Sequence, residues 1–370
     1  MRIVVTGSSG FIGRNLTQHL RESGHADIVG VGRETNCEVL RSALAGADFV
    51  FHLAGVNRPR DIAEFETGNV GFTAMLCEAL SATGRRVPVA YASSTQAGLD
   101  NPYGRSKRLA EDRLQLHAQA TGSPVFVARL PNVFGKWSRP NYNSAVATFC
   151  HNVAHDLPIT VNDAGAPLCL VYIDDVVRAF GELLGRFDDG LTFVDVGPVY
   201  ATTVGEVAGI VESFPRVRET LLMPRVGTGL VRALYATYVS ALPTSTFSYP
   251  LQQHADSRGV FVEMLKTPDC GQFSYFTAHP GITRGEHYHH TKTEKFLVVK
   301  GRARFRFRHL LTNERHEVPV TGDVPQIVES VPGWAHDITN TGDEEMIVML
   351  WANEIFDRQR PDTFAMKTTP

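Results

Sequence analysis

The first half of the chain alternates short apolar runs with longer segments of helical period. Ile3-Val4-Val5 leads into Phe11 to Arg21, and a run at Ile28 to Val31 follows. Phe49 to Leu53 leads into a segment containing Asn69 to Ala82, and Val87 to Ala92 into a strongly helical stretch from Tyr103 to Ala120. Short apolar runs alternating with helix-period segments predict βαβ units and a doubly wound parallel α/β sheet. A strand at Val125 to Arg129 and a further unit from Val171 through the helix after Asp175 carry that sheet well past residue 150. From about Leu242 the pattern changes. Pro243, Pro250 and a Thr/Ser-rich interval precede β-branched and aromatic runs at Phe273 to Thr277, Phe296 to Val299, Ala303 to Phe307 and Met346 to Trp351. Turn residues separate these runs at short intervals, the pattern of an all-β barrel or sandwich. Two domains are expected, residues 1–245 and residues 246–370.

Composition narrows the function. A length of 370 residues suits two hydrophobic cores. Apolar residues make up 43% and charged residues 20%, as in ordinary globular proteins. A net charge of −3 gives no bulk attraction to nucleic acid or to anionic membranes, so a small molecule is the expected partner. Cys37, Cys77, Cys150, Cys169 and Cys270 are scattered, with no CxxC pair, which fits reduced thiols in the cytoplasm. No apolar run approaches the roughly 20 residues of a membrane helix. The chain opens on a strand at Arg2 to Thr6 instead of a secretion signal, so a cytoplasmic location is expected.

Candidate chemistry begins directly after the first strand, at Thr6-Gly7-Ser8-Ser9-Gly10-Phe11-Ile12-Gly13. Glycines there permit a tight turn, close approach of a pyrophosphate and packing of helix on strand, while the helix N-terminus attracts the anion. A purely structural βα turn is the alternative, against which the preceding strand and following helix weigh. About 20 residues further on, where an NAD enzyme places an acid for the ribose hydroxyl, stands Arg33. Its guanidinium suits a 2′-phosphate and therefore NADP(H); a solvated surface arginine is the alternative. Tyr103-Gly104-Arg105-Ser106-Lys107 is a YxxxK pair, and i,i+4 spacing sets Tyr103 and Lys107 on one helix face. An ammonium close to the phenol is expected to lower its pKa and make it a proton donor and acceptor near neutrality. Ser93 and Ser94 end a predicted strand, where a hydroxyl can bond a substrate carbonyl.

These pieces resemble the extended short-chain dehydrogenase/reductases that act on nucleotide sugars: Thr6 to Gly13, His52-Leu53-Ala54-Gly55, Asn69, Ser93-Ser94, the YGRSK segment and Arg129 to Gly135. The resemblance implies a Rossmann fold binding the dinucleotide through Gly7, Gly10, Phe11, Ile12, Gly13, Arg33, Leu53, Ala54, Gly55 and Asn69. It implies Tyr103 as acid/base, Lys107 on the nicotinamide ribose, and Ser94, in preference to Ser93, on the carbonyl.

A second constellation runs from Gly281 through His287, His289 and Glu294 to Gly301, then through Gly322, Pro332, Gly333 and His336 to Asn340. Residues i and i+2 of a strand face one side, so His287 and His289 can both point into a barrel, with Glu294 and His336 completing the set. Three imidazoles and a carboxylate suit one divalent metal ion; by ligand type zinc, iron, manganese and nickel remain open, and zinc is the expected ion. Surface histidines and a purely structural metal are the alternatives. This half resembles the cupin (jelly-roll) family, matching its first motif at every defining position and departing in the second, where Pro332 adjoins Gly333.

The order reductase then cupin resembles the bifunctional epimerase/reductases of bacterial capsule and O-antigen synthesis, the CapF/WbjC type. That resemblance implies a UDP-4-keto-6-deoxy-N-acetylhexosamine substrate, UDP-2-acetamido-2,6-dideoxy-β-L-arabino-4-hexulose. Its C3 is inverted in the cupin and its C4 ketone reduced to the L-talo product, on the route to UDP-N-acetyl-L-fucosamine. Asp256 to Glu263 is similar to the DxRGxFxE segment of dTDP-4-keto-sugar 3,5-epimerases, implying that Arg258 and Glu263 touch substrate; the turn of a hairpin is the other reading. A homodimer is implied by the barrel type. Two further readings stand beside this one: a reductase whose cupin is a structural or dimerising module, and a non-catalytic NADP- and sugar-binding regulator.

Overall fold

The computed structural model describes residues 1–32, 35–256, 259–262, 264–267, 271–354 and 357–369. Two compact units emerge: residues 1–144 with 167–202, and residues 145–166 with 203–370. The second unit includes helices on the N-terminal side of residue 245.

The first unit is built on strands β1 (Ile3–Thr6), β2 (Ile28–Val31), β3 (Phe49–His52), β4 (Val89–Ser94) and β5 (Val125–Leu130). Helices α1 (Phe11–Glu22), α2 (Cys37–Ala45), α3 (Ala63–Phe65), α4 (Phe72–Ser81) and α5 (Pro102–Thr121) alternate with them, and a π-helical turn, Glu66–Gly71, joins α3 to α4. After β6 (Asn132–Phe134) come α6 (Ala145–Ala154), β7 (Pro167–Tyr172), α7 (Ile173–Gly181), β8 (Leu191–Phe193) and β9 (Val199–Thr203). The six-stranded sheet has the order β2-β1-β3-β4-β5-β8 and is parallel throughout. Strands β1, β3 and β4 are buried at every position, as a parallel sheet covered on both faces requires. On one face Val4, Val50, Val89 and Val127 pack against Leu40 and Leu44 of α2, Leu76 and Leu80 of α4, and Leu114 of α5. On the other, Phe51 stacks on Phe180 of α7 at 6.0 Å. The expected unit beginning at Val171 is real but joins a different sheet: β7 lies between β6 and β9 in a three-stranded sheet, and the principal sheet ends instead with β8 beside β5.

In the second unit, helices α6, α8 (Val204–Ser213), α9 (Arg216–Thr220) and α10 (Gly229–Ser240) accompany an antiparallel β structure. Its strands are β10 (Ser248–Pro250), β11 (Gln253–Asp256), β12 (Gly259–Val262), β13 (Gln272–Ala278), β14 (Thr283–Tyr288), β15 (Glu294–Lys300), β16 (Arg302–His309), β17 (Arg315–Thr321), β18 (Gln326–Glu329), β19 (Trp334–Asn340), β20 (Met346–Ala352) and β21 (Phe364–Ala365). Two five-stranded sheets, β10-β18-β15-β20-β13 and β17-β16-β19-β14-β21, form the cupin-like fold. Phe296 of β15 meets Phe305 of β16 at 5.4 Å in its interior, and Val298, Ile338 and Val348 are buried there as well.

Candidate functional site

Strand order in the first unit reverses between β1 and β3, and an open α/β sheet offers its ligand crevice at the carboxyl ends of strands beside such a reversal. The glycines of the β1–α1 turn stand there. Gly7 has φ 68°, and a Cβ on it would lie 2.8 Å from the Ala54 nitrogen after β3. A Cβ on Gly13 would drive into the Gly7 carbonyl oxygen, and one on Gly10 would stand 3.0 Å from the same atom. Helix α1, opening with Phe11 and Ile12, has no side-chain cap and no acidic residue in its first turn, so its N-terminal N–H groups face the crevice uncompensated. On the β3 side, the Thr6 hydroxyl lies 2.8 Å from His52 Nδ1 and accepts from the Ala54 N–H at 3.2 Å, fixing the Leu53–Gly55 turn. His52 is buried and pushed down to about 3 by desolvation, then by the Lys107 charge, so it is a neutral part of this framework.

Asn69 reaches the turn from the π-helical segment. Its Oδ1 accepts from Val56 N at 2.7 Å, and its Nδ2 donates to Ser106 Oγ at 2.9 Å. Asn69 therefore ties the end of β3 to α5, the helix that carries Tyr103 and Lys107. Asn101 caps α5 by accepting from Gly104 N at 2.7 Å, and Gly122 closes it at φ 69°. Lys107, on a buried face, donates to the Ala92 carbonyl at 2.7 Å and stands 4.4 Å from the Tyr91 ring centroid. Desolvation brings its amine down to about 7. Its Nζ is 3.6 Å from where a Cβ on Gly55 would be, so helix α5 and the Leu53–Gly55 turn meet there.

The two serines separate cleanly. Ser93 donates to Glu111, whose carboxylate is also gripped by Arg129 through bonds of 3.1 and 2.6 Å. Ser94 instead stands against the Tyr103 phenol, and its Oγ accepts from Gln96 N at 3.2 Å. The expected lowering of the phenol is corrected: burial raises the Tyr103 pKa, and the bond to Ser94 only partly offsets this. Lys107 directs a hydrogen bond to the Ala92 carbonyl, and burial of the phenol decides the direction of the Tyr103 shift. Arg33 lies outside the described residues, as do Arg258 and Glu263.

In the second unit, His287, His289, Glu294 and His336 offer ligand atoms that all lie within 4.8 Å of one another. His287 pairs with His336 across β14 and β19, beside a bulge between Gly285 and His287 where Glu286 has φ 55°. Strand β14 ends at Tyr288, so His289 reaches the cluster from the first loop position and not by strand alternation alone. His289 Nε2 is 3.0 Å, and His336 Nε2 3.4 Å, from Glu294 Oε2. Burial opposes the Glu294 charge, but His289 and His336 hold the carboxyl well below its usual range. Burial, with the neighbouring imidazoles, pushes His287 down to about 3, leaving a neutral ring with a free lone pair. His336 Nδ1 is buried without a hydrogen-bond partner. A buried carboxylate beside three imidazoles fits the donor set of a divalent metal ion. Sequence reasoning missed Asp362, whose backbone oxygen lies 2.6 Å from His289 Nδ1 across 73 positions of chain.

Residues 3–197 match the NAD dependent epimerase/dehydratase family, and residues 254–364 match a polysaccharide biosynthesis C-terminal domain. Over 366 residues, 99% of this chain and 98% of the relative, there is 55% identity to a Pseudomonas aeruginosa protein named UDP-2-acetamido-2,6-beta-L-arabino-hexul-4-ose reductase. Among solved structures, the capsular polysaccharide assembling protein CapF from Staphylococcus aureus is 41% identical, with a TM-score of 0.67 covering 99% of this chain and 100% of that one. MoeE5 in complex with UDP-glucose and NAD is 25% identical over 58% of this chain and 82% of its own, with a TM-score of 0.51. Among the described residues, no helix is long and apolar enough to cross a membrane.

Proposed function

The chain belongs to the NAD dependent epimerase/dehydratase family, an NAD(P)-dependent group of nucleotide-sugar enzymes, and on that premise we propose a bifunctional epimerase/reductase. Its substrate is UDP-2-acetamido-2,6-dideoxy-β-L-arabino-4-hexulose, inverted at C3 in the cupin-like barrel and reduced at C4 in the dehydrogenase module. In sequence the dehydrogenase module is taken as residues 1–245 and the cupin module as residues 246–370, in a cytoplasmic homodimer. The observation that carries the reading is the division of the two serines at the carboxyl end of β4: Ser93 is committed to Glu111, while Ser94 stands against the Tyr103 phenol.

NADPH, when bound, supplies the hydride. Ser94 donates a hydrogen bond to the C4 carbonyl oxygen, and Tyr103 protonates that oxygen as charge develops on it. The raised phenol pKa keeps Tyr103 a proton donor in the resting site. Lys107 holds the nicotinamide ribose and, with an amine near 7, takes or yields a proton at neutral pH. Gly7, Gly10, Phe11, Ile12 and Gly13 cradle the pyrophosphate, Leu53, Ala54, Gly55 and Asn69 line the adjacent turn, and Arg33 takes the 2′-phosphate. Arg258 and Glu263 contact the substrate from the barrel module.

His287, His289, Glu294 and His336 hold one divalent metal ion, zinc first among the candidates. When bound it supplies Lewis acidity toward an oxygen ligand. The relative's name mentions reduction alone, which favours as second reading a reductase whose metal holds the barrel without chemistry.

Incubation with the 4-keto UDP-sugar in D₂O without NADPH separates the two. Deuterium should enter C3 in the wild type and in Tyr103→Phe but not in His287→Ala, whereas NADPH oxidation should vanish in Tyr103→Phe. NADPH consumption with no C3 exchange in the wild type overturns the epimerase.

A further inference from the structure

Strand β14 ends at Tyr288 and β15 begins at Glu294, so the loop between them sets His289 against Glu294. Three successive N–H groups of that loop converge on one side chain. His290 N donates to Asp362 Oδ1 at 3.0 Å, while Thr291 N and Lys292 N donate to Oδ2 at 2.8 and 2.7 Å. The Thr291 hydroxyl donates to Oδ2 as well, at 3.1 Å. Consecutive N–H groups of this kind form a nest for an anion, filled here by the protein's own carboxylate, and bonds to a charged acceptor are about twice as strong as neutral ones.

The same residue acts on a ligand directly. Its backbone carbonyl lies 2.6 Å from His289 Nδ1, and His289 Nε2 faces Glu294. With Nε2 turned toward the cluster, Nδ1 carries the hydrogen and donates it to Asp362, which sets the tautomer and the ring plane. Asp362 makes both contacts with φ 36°, a left-handed backbone conformation that a non-glycine residue adopts at a cost. The chain around it is tied to the same ligands: His287 pairs with Ala365, Tyr288 pairs with Phe364, and Met366 N donates to the Glu286 carbonyl at 2.7 Å. Lys292 Nζ donates to Thr363 Oγ1 at 2.9 Å and stands 3.6 Å from Glu294 Oε1. By contrast, His336 Nδ1 is held by nothing.

We propose that Asp362 is a positioning residue for the barrel's metal centre, holding His289 in its metal-binding tautomer and fixing the loop that sets His289 against Glu294. This rests on the metal reading given above.

The test uses full-length wild type, Asp362→Ala and Asp362→Asn, each stripped with a chelator. Zinc is then titrated against a chromophoric chelator, and cobalt(II) is added for its visible absorption. Alanine removes the carboxylate and leaves the peptide carbonyl; asparagine keeps the shape but sets an NH₂ group among N–H donors. Both should bind zinc about 10- to 100-fold more weakly and give an altered cobalt band, with NADPH binding and the thermal transition retained. Unchanged zinc affinity and cobalt spectrum in both variants overturn this inference alone. A wild type that takes up neither metal overturns the metal reading and this inference together. Loss of the thermal transition in both variants assigns Asp362 to the fold instead of to positioning.

Discussion

Lys107 is kept at a thermodynamic disadvantage. Its amine is ordinarily protonated up to 10.5, and in the fold only up to about 7, because burial penalises its charge. Between these values the folded chain binds fewer protons than the unfolded one, so stability rises with pH across the window, and below 7 the full penalty is present. Lys107→Met should therefore abolish reduction yet stabilise the protein by roughly 2–4 kcal/mol at pH 7, after allowance for the lost bond to Ala92. The gain should shrink toward pH 10.5. Denaturant unfolding of both proteins at pH 7 and pH 10 checks this, and an equal difference at the two pH values would contradict a desolvated amine. Ser93 and Ser94 should part in the opposite way. Ser94→Ala is expected to lower kcat for ketone reduction about 100-fold, while Ser93→Ala should keep turnover and lose about 1–2 kcal/mol through the Glu111 network. Steady-state NADPH oxidation and a melting curve for each variant distinguish them.

Helix α5 carries both Tyr103 and Lys107, the pair proposed for reduction, and the Asn101 amide caps its first turn. Asn101→Ala removes the acceptor for Gly104 N and should cost about 1 kcal/mol. Because Tyr103 lies in that turn, kcat should fall more than the small stability loss suggests, and Asn101→Asp should restore it; a kcat unchanged in Asn101→Ala would show that the turn is held by packing alone. That Tyr103 and Lys107 lie on one helix was legible in the sequence because four-residue spacing on a helix is a local property. The β1–α1 turn was legible for the same reason: three glycines within seven positions bear directly on one carbonyl oxygen and on Ala54. The π-helical turn Glu66–Gly71 was not. It breaks the helical period over Asn69 without any proline to mark it, and from it Asn69 bonds both Val56 and Ser106. The phenol pKa was misjudged for a related reason: spacing tells which residues share a face but not how little water reaches it.

Over the whole chain, what escaped the sequence is what depends on distant partners. Strand β7 has the apolar pattern of a parallel strand, yet its neighbours β6 and β9 put it in a sheet of its own. His287, His289 and Glu294 stand close together in sequence, and so announce themselves with His336 as the fourth member, whereas Asp362 had no local mark. The helices of the second unit are fastened to its strands in the same long-range manner. Arg218 of α9 and Lys295 of β15 both grip Glu329 of β18, with Lys295 2% and Glu329 4% exposed. Burial opposes the Glu329 charge, but the two cations hold it below its usual range. Glu329→Ala would leave the buried Lys295 and the partly exposed Arg218 without their shared carboxylate and should cost about 3–5 kcal/mol, read as a lowered midpoint in denaturant. A cost below about 1 kcal/mol would mean that water enters this network and already screens it.

The bond from His289 to Asp362 spans 73 positions, and chains are made from the N-terminus at about 5–20 residues per second, so roughly 4–15 s separate the two partners on the ribosome. During that interval the loop bearing His289 has emerged without its clamp.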